Sequence, residues 1–149
     1  MAEIFIGVDP GLSGAIAAIK DGVAKIKVCR CDTTETDLAN FLLDLSWKGN
    51  CWAFIERVSA MPGNGVSSMF KFGRSYGFLR GILIATGISF EEVNPVKWQS
   101  VMGCRTKGDK NVSKARAQQL FPAEKIIHAN ADAILIAEYC RRVCMERSR

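Results

Sequence analysis

An α/β fold on a five-stranded mixed sheet, with three antiparallel strands, then parallel ones, and helices on both faces, is predicted by three observations. Three short strand-like segments crowd the first 30 residues, separated only by turn signals. After them helical and strand-like segments alternate, as parallel crossovers require. The last third is helical, and no repeat, linker or low-complexity tract interrupts the 149 residues. That length predicts a single domain over residues 1–149, large enough to bury roughly 70% of its unfolded surface.

Glu3 to Val8 reads as the first strand, followed by the tight turn Asp9-Pro10-Gly11-Leu12-Ser13-Gly14. Ala15 to Lys20 is the second, Asp21-Gly22 a hairpin signal, and Val23 to Cys29 the third. Thr34, with Asp37 three residues on, caps a helix whose apolar face is Leu38, Phe41, Leu42 and Leu45. Cys51 to Glu56 is a short apolar strand, and the loop Ala60-Met61-Pro62-Gly63-Asn64-Gly65 follows it. A long helix runs from about Ser67 to Thr86 and is stopped by Gly87; Ile88 to Val93 is the fifth strand. Asn94-Pro95 opens a short helix through Trp98 as N-cap and first helical residue. A polar segment, Gly103 to Asp109, leads to a helix over Asn111 to Leu120, and Asn130 to Arg147 forms the last.

The 48% hydrophobic content excludes intrinsic disorder, because enough apolar surface exists to offset chain entropy. The longest apolar stretch, Phe78 to Ile88, is broken by Arg80 and Gly81, which argues against a membrane span. No secretory signal is read at the N-terminus, so a cytoplasmic location is expected. Six cysteines lack the spacing of a zinc site, and in a reducing compartment they are expected to be small buried side chains.

The net charge of +5 is unevenly spread. Residues 1–56 carry −3, residues 57–116 carry +7 and residues 117–149 carry +1. Arg105, Lys107, Lys110, Lys114 and Arg116 face only Asp109 in one short stretch. Such a block is either a solvated basic face or the footprint of a polyanion.

Three carboxylates stand where apolar segments disfavour them. Asp9 ends Ile4-Phe5-Ile6-Gly7-Val8, Glu56 ends Trp52-Ala53-Phe54-Ile55, and Asp132 lies in Ala131-Asp132-Ala133-Ile134-Leu135-Ile136-Ala137. Each has a local alternative: a turn residue for Asp9, a pair with Arg57 or Lys71 for Glu56, a helix N-terminus for Asp132. Together they predict an oxygen-rich site for hard divalent cations. With the basic middle third, that site suits two-metal hydrolysis of a phosphodiester.

The long helix also carries Gly73, Gly77 and Gly81 at spacing four. Each glycine costs a helix interior about 1 kcal/mol against alanine. Two readings account for the stripe: close packing on the protein's own sheet, or packing against a second subunit.

Four ordered stretches resemble the RuvC-type Holliday junction resolvases, most closely their short bacteriophage and prophage branch. They are Ile6 to Ala15, Ile55-Glu56-Arg57-Val58, Val93 to Trp98, and Ala131 to Ala137, with Phe70 to Gly77 as a further fit. The resemblance covers Ile4 to about Arg142 and implies an RNase H-like fold, a homodimer, and paired Mg²⁺- or Mn²⁺-dependent nicks in four-way DNA junctions. It implies that Asp9 bridges two ions, that Glu56 holds one and Asp132 the other, and that Lys97 and Lys110 lie near the scissile phosphate and the DNA backbone, with Lys110 a catalytic candidate. Lys107, Lys114, Arg74 and Phe70 are further DNA-contact candidates. Gly73, Gly77 and Gly81 become candidates for the dimer interface. No nucleotide cofactor or membrane partner is expected.

Two departures qualify the likeness. Many relatives carry another acid three or four residues before the Asp132 position, where this chain has Ala129 and His128. His128 therefore becomes a candidate ligand or proton acceptor if the last helix extends back that far. No aromatic follows Glu56 closely, so Met61, Phe70 or Phe72 is left for the role of a ring inserted into the junction, and all three read equally well as core or interface residues. The competing readings are a branched-DNA-binding module that does not cleave, a nuclease acting on RNA–DNA hybrids, and a kinase-like phosphate loop at Asp9-Pro10-Gly11. The last normally needs two such domains.

Overall fold

The computed structural model describes residues 2–20 and 26–149. Five strands form one sheet in the order β3-β2-β1-β4-β5. They are β1 (Ala2–Asp9), β2 (Ala15–Lys20), β3 (Ile26–Arg30), β4 (Gly49–Glu56) and β5 (Ser89–Val93). β1, β2 and β3 pair antiparallel, whereas β1, β4 and β5 run parallel, as the segment order predicts. The Asp21-Gly22 hairpin and the start of the third strand at Val23 lie outside the described residues.

Five helices cover the sheet: α1 (Glu35–Lys48), α2 (Val66–Ala85), α3 (Pro95–Met102), α4 (Lys110–Leu120) and α5 (His128–Arg147). The capping box of α1 forms as expected, with the Asp37 backbone N–H donating to Thr34 Oγ1 at 3.1 Å. Asn94 Oδ1 caps α3 by accepting from Val96 N–H at 2.8 Å. Two helices are longer than their sequences suggest. α3 continues past Trp98 because Trp98 and Met102, one turn apart, both bury on the same side. α5 starts at His128, two residues early, because Asn130 Oδ1 accepts from Ile127 N–H at 2.9 Å and its amide donates to Lys125 O at 3.1 Å. Among the described residues, no helix is long and apolar enough to cross a membrane.

Strand alternation sends side chains to two separate cores. Ile4, Ile6, Val8, Ala53 and Ile55 bury against α1 and α2 through Leu38, Leu42, Leu79 and Leu83. Phe5 and Phe54 bury on the opposite face against α3, α4 and α5, through Trp98, Ala117 and the run Ala131 to Cys140. α5 lies unusually close to β1 because Gly7 has no side chain. A Cβ there would stand 2.2 Å from Ala133 O and 2.3 Å from Ala137 N. This close seat fixes how far along the sheet, and in what rotation, α5 presents its first turns.

Candidate active site

The same alternation aims the site residues. Phe5, Gly7 and Asp9 share one face of β1, and Phe54 and Glu56 share that face of β4. β1 and β4 are adjacent and parallel, so both acids stand together at the carboxyl ends of the two central strands, on the side covered by α5. Asp132 comes down from the second turn of α5, one residue before the Gly7 seat. His128 is one helical turn earlier, on the same side. All four line a cavity of about 210 Å³, together with Lys110 and Ser113 from α4, Pro10 and Ser13 from the first turn, and Phe72 from α2.

Electrostatically the three carboxylates oppose one another. Burial, then the charges of Asp132 and Glu56, push Asp9 well above the usual carboxylate range, and Lys110 pulls the other way. Burial raises Glu56 as well; the Trp98 indole counters this and Asp132 adds to it. Burial also raises Asp132, against the Ser113 hydroxyl and Lys110. Trp98 Nε1 donates to Glu56 Oε2 at 2.8 Å. Asp132 Oδ1 is buried and has no hydrogen-bond partner. A buried, unpaired carboxylate oxygen among like charges is costly and calls for a cation. Among the described residues, no three histidine, cysteine or carboxylate side chains form a ligand set able to hold a metal ion on their own.

Several local alternatives fall away. Arg57 pairs with Glu92, at 3.7 Å, and Lys71 lines a different pocket, so neither neutralises Glu56. Phe72 is a half-buried wall, packed so closely on the first turn that a Cβ on Gly11 would stand 2.9 Å from its ring. A wedging role therefore does not suit it, whereas Phe70 and Met61 are exposed. Arg116 does not belong to a free basic surface: its guanidinium donates to Met102 O and to Gln119 Oε1. Lys97, Lys107 and Lys114 do not line the cavity; Lys97 and Lys107 are exposed and Lys114 is half-buried. Arg74 is exposed, 3.7 Å from Glu35.

Gly73, Gly77 and Gly81 do not pack on the protein's own sheet. A Cβ at any of the three would meet nothing within 4 Å, and they lie on an outward face of α2 with exposed Val66, Phe70 and Ile84.

Sequence reasoning did not foresee the parts played by Trp98 and Ser113. The signal for Trp98 was present: a buried indole needs an acceptor, and a buried strand-end glutamate needs a donor.

The whole chain superposes on RuvC of Thermus thermophilus solved in complex with a Holliday junction substrate. The TM-score is 0.63 at 14% identity, over 98% of this chain and 97% of that one. This chain has the RuvC fold. A second Thermus thermophilus RuvC structure gives a TM-score of 0.59 at 13% identity, over 95% and 96% of the two chains. The five-stranded mixed sheet is thus the RNase H-like arrangement that the sequence resemblance implies. In sequence, the chain is 28% identical over 102 residues to the chloroplastic Holliday junction resolvase MOC1 of Chlamydomonas reinhardtii. That match spans 64% of this chain and 12% of the algal protein's length. No family model matches the chain.

Proposed function

We propose that this chain is a structure-selective endodeoxyribonuclease that resolves four-way DNA junctions by paired hydrolytic nicks, in recombination, repair or phage DNA processing. The observation that carries the reading is the convergence of Asp9, Glu56 and Asp132 in one cavity beside Lys110, on the RuvC fold. Branched DNA as substrate is supported by the Holliday junction bound to the Thermus thermophilus protein and by the name of the algal relative.

The donor set fits Mg²⁺ or Mn²⁺. It is carboxylate oxygen, crowded and desolvated, with Asp132 Oδ1 lacking any protein partner. Its openness also fits, since Mg²⁺ typically takes one or two carboxylates and completes its shell with water and substrate phosphate. Asp9, Glu56 and Asp132 would hold two ions, with His128 as a further ligand or as acceptor of the attacking water's proton. When bound, the ions supply a nucleophilic water at neutral pH and stabilise the leaving oxygen. Trp98 holds one Glu56 oxygen and leaves the other free for the ions. Lys110 would meet the charge of the scissile phosphate, and hydrolysis would leave 5′-phosphate and 3′-hydroxyl ends. Lys97, Lys107, Lys114 and Arg74 would track the DNA backbone, and Phe70 would enter the branch point. The exposed glycine face of α2 would join two copies, setting two sites against the two strands to be cut.

The test is nicking of a synthetic four-way junction in Mg²⁺ or Mn²⁺. Wild-type protein should cut two opposed strands symmetrically, while Asp9→Asn should bind the junction and leave it intact. Cutting by Asp9→Asn at the wild-type rate would overturn the assignment. Binding by the wild type without cutting in either metal would favour the non-cleaving reading, to which the missing acid at Ala129 points.

A further inference from the structure

At the amino ends of β1, β4 and β5, Glu3, Ser46, Asn50, Trp52, Thr86 and Ser89 line a cavity of about 450 Å³. A smaller cleft adjoins it, sharing Trp52 and Ser89 and reaching Glu91 and Cys144. Asp9 and Glu56 stand at the other ends of these strands, and about 20 Å of β1 separates Glu3 from Asp9.

The groove is rich in acceptors, and its donors are engaged within the chain. Trp52 Nε1 donates to Glu3 Oε2 at 3.1 Å, and Asn50 Nδ2 donates to Glu3 Oε1 at 3.2 Å. Ser46 Oγ donates to Leu43 O and Thr86 Oγ1 to Ile82 O, each at 2.7 Å. The backbone N–H groups of Thr86, Gly87 and Ile88 donate to carbonyls of α2. Lone pairs therefore remain for a ligand, on the two hydroxyls and on a carboxylate whose oxygens each accept more than one bond. Both donors to Glu3 are neutral, so they orient its charge without cancelling it. Lys48, in the last turn of α1, pairs with Asp44. α1 and α2 both end at the groove, and the negative ends of their dipoles add to the field. Two indoles stand in solvent here: Trp52 on the lining is 45% exposed, and Trp47, between the lining residues Ser46 and Gly49, is 77% exposed.

From this we infer that the groove docks a basic segment of a protein partner, with an arginine or lysine of that segment seated on Glu3 beside the Trp52 indole. Charge complementarity selects the occupant. An acceptor-rich cleft at two helix C-termini, within the stretch 1–56 that carries a net −3, suits a group made only of donors. The same sign of charge disfavours DNA. The indoles attract a cation to their faces and give a peptide chain apolar contact, which a lone metal ion would not use. The fold holds an example of such a seat: in the adjoining cleft the Arg147 guanidinium already sits on the Glu91 carboxylate. A partner bound here leaves the carboxyl ends of the strands open. The inference therefore does not depend on the nuclease reading.

The experiment follows the three tryptophan indole N–H resonances of the full-length, nitrogen-15-labelled protein while a blocked peptide, arginine-leucine-arginine-leucine, is added. Its counterpart carries citrulline, of the same shape without the charge, in place of arginine. The arginine peptide should shift the Trp52 resonance saturably and leave that of Trp98, which reports on Glu56, in place. The citrulline peptide should bind about tenfold more weakly or worse. Glu3→Gln removes the charge, and Ser89→Arg, at an exposed position, sets a cation of the chain's own in the groove. Each should weaken binding of the arginine peptide by about tenfold, whereas Asp9→Asn should bind it as the wild type does. Equal binding of the two peptides, full affinity in both groove variants, or a Trp52 resonance that does not move would overturn the proposal. A shift of Trp98, with binding lost in Asp9→Asn, would place the peptide on the acids at the other end of the sheet and overturn it as well.

Discussion

The indole N–H of Trp98 on α3 donates to the Glu56 carboxylate on β4 at 2.8 Å, and Trp98 is completely buried. Trp98→Phe keeps a ring of nearby shape and removes the donor. It should cost about 1–3 kcal/mol of stability through the orphaned carboxylate oxygen. It should also raise the Mg²⁺ concentration needed for half-maximal nicking several-fold. A double-mutant cycle with Glu56→Gln, read by thermal melting, checks the coupling; independent, additive effects would remove Trp98 from the site's support.

The raised carboxyls of Asp9, Glu56 and Asp132 make a prediction about pH. Each holds its proton more tightly folded than unfolded. Its stabilising contribution is therefore complete below the unfolded value near pH ~4 and is lost as pH rises through the folded one. Asp37 and Glu91 are held below their usual range, by the Thr34 hydroxyl and by Arg147 respectively, and contribute a slope of the opposite sign. The comparison that isolates the site is wild type against Asp9→Asn, melted in chelator across mildly acid to neutral pH. Wild type should lose more stability than the variant as pH rises, and Mg²⁺ should restore it at the neutral end. Parallel curves would mean that the three acids do not strain the fold.

Gly7→Ala should be severely destabilising, by about 3 kcal/mol or more, because the added methyl would stand 2.2 Å from a backbone oxygen of α5. Urea unfolding would measure it. A near-neutral result would show that α5 can slide on the sheet, and with it Asp132.

The glycines of α2 predict opposite signs for one copy and for two. Replacing Gly73, Gly77 and Gly81 by alanine fills open space in a single chain and should stabilise its helix by about 1 kcal/mol per site. Gly77→Leu should weaken self-association in sedimentation experiments while leaving single-chain stability unharmed. If wild-type protein sediments as one copy at all concentrations, the glycine face serves something else.

Much of this was legible in the chain itself, and the reason is local. Thr34 with Asp37, and Asn94 with Pro95, carry their caps within a few residues, so the helix starts can be read directly. Asp9 and Glu56 were visible because an acid closing an apolar strand breaks its own segment's pattern. Non-local facts were not legible. Trp98 and Glu56 are 42 positions apart, and nothing near either names the other. The early start of α5 depends on the Asn130 side chain reaching back to Ile127 and Lys125. Arg116 reads as one more cation in a basic run until Met102 O is seen to hold it. The sequence leaves Phe72 open between a ring for the junction and a packed residue, and only the fold makes it a wall against Gly11.

The seat of α5 on Gly7 has a consequence for how such a chain can vary. One residue added between His128 and Asp132 would leave Asp132 beside the fixed seat and turn His128 about a quarter of the way round the helix axis, away from the acid. Length changes are thus forbidden in that span, yet the segment from Val58 to Gly65, whose residues are mostly exposed, can lengthen or shorten freely. Relatives that diverge in substrate should differ in that segment and agree, to the residue, in the span between histidine and aspartate.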